Sequence, residues 1–175
     1  MDSEDRLRFR FALLDADGNG VLERSDFETL AERVIAASGV EESTRKAAAV
    51  REAHLAYWQG LSDQADSNND GVVDFDEYVA VVHQQETFEQ YVRPYIRALV
   101  ALADGDDDGW VGHDAFSAIM TAVGFPRANS EAAFADFRSL EGGQLSTTFW
   151  GHVITGFYTG RGRHITDQLI GPPLK

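Results

Sequence analysis

One twelve-residue stretch constrains the fold of this chain more than any other feature. Residues 66–77 read DSNNDGVVDFDE, with side-chain oxygens at positions 1, 3 and 5, a backbone carbonyl at position 7 and a glutamate at position 12. Calcium takes roughly six to eight oxygen ligands, and a loop between two helices supplies them at this spacing. Gly71 stands at position 6, where a sharp turn requires a residue without Cβ. The stretch, called loop 2 below, therefore predicts a calcium site.

The remaining positions of loop 2 agree with this interpretation. Asp74 stands at position 9, where it would ligate directly or through a water. An acidic surface turn would account for the charge, but not for a glycine, an apolar eighth residue and a terminal glutamate in register. The ligands predicted in loop 2 are Asp66, Asn68, Asp70, Val72 through its carbonyl, and Glu77.

Residues 15–26, DADGNGVLERSD, repeat the pattern and form loop 1, with Gly20 at the turn. Loop 1 ends on Asp26, whose side chain is one methylene shorter than the usual glutamate. Bidentate contact would draw the following helix closer, so we expect weaker selectivity for calcium and competition from magnesium, which prefers a smaller octahedral shell. The ligands predicted in loop 1 are Asp15, Asp17, Asn19, Val21 and Asp26.

Residues 104–115, DGDDDGWVGHDA, form loop 3, which lacks the last ligand. Ala115 stands at position 12, and Asp114 lies one residue early, about 100° away around a starting helix. Two interpretations follow: a weaker, more hydrated calcium site, because calcium accepts water in its flexible shell, or a loop that binds no ion. The ligands predicted if loop 3 binds are Asp104, Asp106, Asp108 and the carbonyl of Trp110.

A fourth unit keeps the shape of a loop without its ligands. Gly143 and Leu145 stand at positions 6 and 8, but Arg138, Leu140 and Phe149 occupy positions 1, 3 and 12. No divalent cation is expected in this loop 4. Its role would be structural, because an unpaired loop leaves one apolar face of its neighbour open.

Apolar residues at helical spacing flank the loops, so the chain is predicted to be all-α. One helix is predicted over 41–65 and another from Ser130, with a break between the two halves at 83–87, HQQET. We expect loops to pair through short antiparallel bridges between their eighth residues, Leu22 with Val73 and Val111 with Leu145. Four helix-loop-helix units would then form two packed pairs in one compact globule. The predicted divisions are 1–85 for the first pair, 86–160 for the second and 161–175 for a tail.

Composition excludes several classes of partner. The formal charge of −14 disfavours nucleic acids and anionic membranes, which are negative themselves. The chain has no cysteine, which excludes thiolate sites, and no apolar stretch approaches a membrane span, so a cytoplasmic protein is expected. There is no HExxH pair, no GxSxG and no phosphate loop, so we expect no enzymatic activity.

With these loops the chain resembles the four-EF-hand sarcoplasmic calcium-binding proteins and their bacterial relatives of the calerythrin type. The resemblance covers nearly all 175 residues. It implies two packed pairs of hands, usually with one hand silent, and a role as an intracellular calcium buffer with calcium ions as its partners. A monomer is expected. The resemblance rests on Asp15, Asp17, Asn19, Gly20, Asp26, Asp66, Asn68, Asp70, Gly71, Glu77, Asp104, Asp106, Asp108 and Gly109.

Two other functions are open at this point. A calcium sensor would open on binding and present an apolar groove to a protein target, but the chain has only Met1 and Met120 with which to build an adaptable groove. A small-ligand binder similar to the photoproteins would need a cavity. The aromatic residues that could line such a cavity are Trp58, Trp110, Trp150, His54, His152 and Tyr158.

Overall fold

The computed structural model describes residues 3–160, and the all-α prediction is confirmed. None of the helices in this part of the chain is long and apolar enough to cross a membrane. The predicted tail, 161–175, lies outside the described residues. The elements are α1 (Ser3–Leu14), α2 (Arg24–Ser38), α3 (Arg45–Ala65), α4 (Phe75–Val81), α5 (Gln85–Thr87), a π-helical stretch (Phe88–Val92), α6 (Arg93–Ala103), α7 (His113–Val123), α8 (Arg127–Leu140) and α9 (Thr147–Thr159).

Two helices start at other residues than those predicted. Helix α3 begins at Arg45 and not at Glu41, because the Thr44 hydroxyl accepts a hydrogen bond of 3.2 Å from the backbone nitrogen of Ala47. Helix α8 begins directly after Pro126, ahead of the predicted start at Ser130. Ser130 is fully buried and donates its hydroxyl to the Pro126 carbonyl at 3.2 Å, so it lies inside the first turn.

The segment predicted to separate the halves is partly helical, and its last residue is packed against α3. Residues 83–87 lead through α5 into the π-helical stretch and on to α6, which carries Pro94 in its first turn. Proline removes one backbone donor, and a change of helical register next to it is a common result. Thr87 is buried and donates its hydroxyl to the Gln64 side chain of α3. The predicted division near residue 85 therefore lies beside a side-chain contact with α3.

The two halves share one hydrophobic core. Helix α2 packs against α7, and α3 packs against α6, so each half contributes a pair of helices to the contact. Aromatic rings cross this contact: Tyr57 of α3 lies 5.6 Å from Tyr95 of α6, between ring centroids. The termini of the described chain also meet there, since the buried Arg10 of α1 donates to the Tyr158 carbonyl of α9. This core holds the helices that enter and leave the loops.

Candidate metal centres

Loops 1, 2 and 3 share one backbone arrangement around the first carboxylate. In each loop this carboxylate accepts hydrogen bonds of 2.9–3.2 Å from the backbone nitrogens of the fifth and sixth residues. The sixth residue has a left-handed φ of 86–90°, which glycine adopts without strain. The predicted turn is thus present three times. The carboxylates and glycines concerned are Asp15 with Gly20, Asp66 with Gly71, and Asp104 with Gly109.

Loop 1 brings three carboxylates together at its centre. Oxygens of Asp15, Asp17 and Asp26 all lie within 4.8 Å of one another. Asp26 is only 2% exposed, and its two oxygens accept from the backbone nitrogens of Ala16 at 3.0 Å and Glu23 at 2.7 Å. Burial, with a contribution from the charge of Asp17, raises the pKa of Asp26. A cation here would relieve both the repulsion and the cost of burying the charge.

Asn19, another predicted ligand of loop 1, lies on the exposed side of the same turn. Asn19 is exposed, and its side-chain oxygen accepts from the backbone nitrogen of Val21 at 3.0 Å. This bond holds the backbone of Val21 at its nitrogen, one residue's length from the carbonyl predicted as a ligand. Asp17 in turn accepts from the Asn19 nitrogen at 3.0 Å. The side chains of Asp17 and Asn19 are therefore held in place by hydrogen bonds from the backbone of the loop itself.

Loop 2 is closed by its last residue. Glu77 Oε1 accepts from the backbone nitrogen of Ser67 at 3.0 Å, and Oε2 accepts from that of Asp74 at 3.1 Å. The bond from Asp74, followed by that from the Ser67 hydroxyl, lowers the pKa of Glu77, so the carboxylate is held in its charged form. Asp74 itself caps α4 by accepting from the Glu77 nitrogen at 2.9 Å. Asp74 thus already has a structural role at position 9.

The side chains at positions 3 and 5 of loop 2 make the same kind of backbone hydrogen bonds as those of loop 1. Asn68 accepts from the backbone nitrogen of Asp70 at 2.8 Å, and Asp70 accepts from that of Val72 at 3.1 Å. Because the side chain at position 3 is an amide, Asn68 offers an oxygen ligand without adding a negative charge. Its amide nitrogen donates to the Asp70 carboxylate at 2.9 Å. Loop 2 therefore carries at position 5, on Asp70, the charge that loop 1 carries at position 3, on Asp17.

Loop 3 gathers carboxylates from its first half only. Oxygens of Asp104, Asp106 and Asp108 lie within 4.8 Å of one another, and Asp108 accepts from the Trp110 nitrogen at 2.8 Å. Asp114 is fully exposed beside His113, as its early position predicts. In loops 1 and 2 the carboxylate at position 12 accepts hydrogen bonds from the backbone of residues 2 and 9, and Ala115 has no side-chain oxygen to do so in loop 3. The predicted side-chain ligands of loop 3 therefore all come from positions 1, 3 and 5.

Loop 4 keeps the turn without the donors. Gly143 has φ 110° and donates its backbone nitrogen to the Arg138 carbonyl at 2.7 Å. Leu140 is 64% exposed at position 3, and Phe149 packs against Phe137 at position 12, with 6.0 Å between ring centroids. These side chains offer no oxygen to a cation.

Loops 1 and 2 pair through their eighth residues as predicted, whereas the bridge between loops 3 and 4 joins the adjacent residues Trp110 and Ser146 and not Val111 and Leu145. Leu22 and Val73 exchange two backbone hydrogen bonds of 2.8 and 3.0 Å. In the second pair, Val111 donates to the Leu145 carbonyl at 2.9 Å, and the other bond runs from Thr147 to the Gly109 carbonyl at 3.0 Å. All four eighth residues are buried. Loop 4 therefore supports loop 3 through the backbone.

One residue near these centres was missed by sequence reasoning. The Lys46 ammonium, at the start of α3, forms an ion pair of 2.8 Å with Asp107 in loop 3 and donates to the Asp104 carbonyl. A separation of 58 residues leaves no local pattern to indicate the second contact. The chain has only two lysines, Lys46 and Lys175, but this count does not indicate which residues they contact.

The aromatic residues predicted as candidates for lining a ligand cavity do not all lie around one cavity. A cavity of about 30 Å³ lies between α6, α7 and α9, and of that set only Trp150 and Tyr158 line it. Trp58 and His54 are buried elsewhere in the core, and Trp110 is 40% exposed.

Known proteins share both the loops and the fold. Residues 4–83 match the family described as an EF-hand domain pair. Calerythrin from Saccharopolyspora erythraea is 27% identical over 175 residues, 97% of each chain. Sarcoplasmic calcium-binding protein 1 from Astacus leptodactylus is 32% identical over 136 residues, 74% of this chain and 67% of that protein.

A solved structure agrees with these relatives. The structure of a Streptomyces coelicolor calcium-binding protein superimposes with a TM-score of 0.76 at 29% identity, covering 90% of this chain and 98% of that one. Similarity at this level extends across both pairs of loops. The chain is a calcium-binding EF-hand protein, and it belongs to the sarcoplasmic calcium-binding protein family.

Proposed function

We propose that this protein is a calcium buffer that takes up calcium at loops 1, 2 and 3, with loop 4 serving as a structural partner of loop 3. The observation that carries the proposal is the first carboxylate of each of the three loops, held in the same backbone arrangement. Loops 1 and 2 add a closing carboxylate, so they would bind more tightly than loop 3. The proposed ligands are Asp15, Asp17, Asn19, Val21, Asp26, Asp66, Asn68, Asp70, Val72, Glu77, Asp104, Asp106, Asp108 and Trp110.

The distribution of apolar side chains supports a buffer. Within residues 3–160, the large apolar side chains that stand exposed are Trp110 and Leu140, which lie on different loops. Met120 is 4% exposed, so it is part of the core. A sensor of the calmodulin kind presents a methionine-rich groove on binding calcium. The described surface offers little with which to build one.

A calcium sensor is the second candidate. The Streptomyces coelicolor calcium-binding protein is described in terms of prokaryotic calcium-mediated regulation, and its similarity to this chain favours the same class of role. A sensor would require the two helix pairs to separate enough to expose core residues. The contacts of α2 with α7 and of α3 with α6 would have to rearrange, because they now cover both inner faces.

A small-ligand binder of the photoprotein kind is disfavoured by the size of the apolar cavity between α6, α7 and α9. Ligand pockets hold on the order of 300–1,000 Å³, whereas the cavity beside Trp150 measures about 30 Å³. That volume accommodates about one water. We therefore place the function in the loops, and we propose a monomer that acts in the cytoplasm, with no target protein required.

Calorimetric titration of the metal-free protein with calcium, and then with magnesium, tests this function. A buffer is expected to bind three calcium ions, two of them more tightly, and to bind little of a dye that reports exposed apolar surface. Strong new dye binding on calcium addition would identify a sensor. Two ions and not three would remove loop 3 from the proposal. A protein that binds no calcium would contradict both candidates.

A further inference from the structure

Lys46 connects the first half of the chain to loop 3. Its ammonium lies 2.8 Å from Asp107 Oδ1 and also donates to the backbone carbonyl of Asp104. The Lys46 side chain is 20% exposed and that of Asp107 is 77% exposed, so the ammonium is shielded from solvent while the carboxylate lies at the surface. Asp104 ends α6 and opens loop 3, so the ammonium lies at a helix C-terminus, where the carbonyls attract a cation.

Asp107 has a conformation that needs support. Its φ is 61°, in the left-handed region, which residues other than glycine seldom adopt, although aspartate tolerates it. The same fourth position is Gly18 in loop 1 and Asn69 in loop 2, also with positive φ. Position 4 supplies no ligand to calcium in a loop of this kind. The carboxylate of Asp107 therefore anchors the loop to Lys46.

Helix α3 carries a loop contact at each end. Lys46 lies in its first turn, and its last residue, Ala65, is followed by Asp66, the first predicted ligand of loop 2. The helix has 21 residues, which corresponds to roughly 30 Å of rigid structure. A shift of α3 along its axis would therefore move both the loop 2 ligand and the anchor of loop 3.

We propose that Lys46 is a positioning residue for loop 3 and that, through α3, it makes calcium binding at loops 2 and 3 mutually favourable. This inference rests on the proposed function, because it needs loop 3 to bind an ion. Calcium in loop 2 would fix Asp66 and thereby α3, which holds Lys46 against loop 3. The anchor orders a loop that lacks the closing carboxylate of position 12. By linkage, calcium in loop 3 strengthens binding at loop 2 by the same factor.

An opposing electrostatic effect is the weaker one. A lysine charge near a calcium site repels the ion, which would reduce affinity. Here the ammonium is paired with the Asp107 carboxylate, which is not a predicted ligand, so the pair is neutral as a whole. Its field at the loop falls off as that of a dipole, while the ordering of the Asp104 and Asp107 backbone is local and direct.

Terbium luminescence excited through tryptophan reports on loop 3, because Trp110 occupies position 7 of that loop. Trp110→Phe identifies the part of the signal that comes from loop 3. Lys46→Met is expected to weaken terbium binding at loop 3 by about fivefold or more. Arg45→Met removes the same charge from the adjacent exposed residue and is expected to leave that affinity unchanged. Lys46→Arg is expected to retain most of it.

A double-mutant cycle tests the coupling. Glu77→Gln in loop 2 is expected to weaken terbium binding at loop 3 by about fivefold or more in the wild-type background, and to have no effect in the Lys46→Met background. Equal effects in both backgrounds would overturn the coupling. Unchanged or tighter binding in Lys46→Met, with the wild-type signal present, would overturn the positioning role while the buffer function stands. If the wild type gives no Trp110-dependent signal at saturating terbium, loop 3 is not a site, and the inference is wrong together with that part of the function.

Discussion

Glu77 Oε1 lies 3.0 Å from the backbone nitrogen of Ser67, so the last residue of loop 2 is bonded to the second. Asp26 makes the equivalent bond of 3.0 Å to Ala16 in loop 1. In both loops the other carboxylate oxygen accepts from the ninth residue. The closing carboxylate is therefore positioned by backbone donors, and this pre-organisation reduces the ordering cost of binding an ion.

Glu77→Gln is expected to abolish the strong site of loop 2. Glutamine retains one oxygen acceptor but loses the second oxygen and the charge, so we expect affinity at this site to fall roughly a hundredfold, or about 3 kcal/mol. Calorimetry should show one tight ion fewer. Asp76→Asn removes a charge from the adjacent exposed residue and should leave the stoichiometry intact. An equal loss in both variants would mean that net charge, and not ligation, sets the affinity.

Asp26→Glu is expected to shift loop 1 from magnesium towards calcium. The added methylene lets the carboxylate reach a larger ion with both oxygens. Because Asp26 is 2% exposed, the longer side chain is also expected to destabilise the metal-free protein by about 1 kcal/mol through overpacking. The ratio of calcium to magnesium affinity, from competition calorimetry, measures the shift. The reciprocal change, Glu77→Asp, should lower that ratio at loop 2, and a rise in that variant would refute the role given to side-chain length.

The loops were predictable because their information is local. The proposed ligands of loop 2 lie within residues 66–77, and calcium chemistry predicts their spacing without reference to the rest of the chain. The pairing of Leu22 with Val73 followed from the same repeat. The start of α3 was placed too early because helix propensity extends over 41–65, whereas the Thr44 hydroxyl determines the first turn.

Contacts between the halves could not be predicted from local patterns. Lys46 reaches loop 3 across 58 residues, and Arg10 reaches Tyr158 across 148 residues. Each contact depends on how α2, α3, α6 and α7 pack, and periodicity indicates which face of a helix is apolar but not which helix covers it. The closing bonds from Ser67 and Ala16 to the twelfth residues are short-range, yet the consensus specifies ligands and not their backbone donors.

Gly60 and Tyr91 make a contact that permits no side chain at residue 60. A Cβ on Gly60 would lie 2.3 Å from the Tyr91 ring. Gly60→Ala is therefore expected to destabilise the protein by about 1–3 kcal/mol, the usual range for overpacking, despite the better helix propensity of alanine. Gly151→Ala in α9 is the matched control, because its Cβ would have no neighbour within 4 Å; it should stabilise by about 0.5–1 kcal/mol. Urea unfolding of both variants measures the difference, and a stabilised Gly60→Ala would show that the ring moves aside.

His54 gives the fold a dependence on pH. Its Nδ1 lies 2.7 Å from the Val50 carbonyl, which only accepts, so Nδ1 carries the proton. Nε2 is buried and has no hydrogen-bond partner in the described part of the chain, and the ring packs 4.9 Å from that of Tyr95. A second proton would be buried without a partner. Burial therefore lowers the pKa of His54 from 6.5 to about 4.

This shift sets the direction of the pH effect. Between about pH 4 and 6.5 the unfolded chain binds a proton at His54 that the folded protein does not, so stability rises with pH across this window. From pH 7 to pH 5 the loss is expected to be about 2 kcal/mol. Urea unfolding at the two values measures it, and His54→Leu should lose less stability by that amount, since other titrating groups are common to both proteins. His152→Gln, at an exposed histidine, should retain the wild-type dependence. The same pH dependence in His54→Leu as in the wild type would place its origin in other groups.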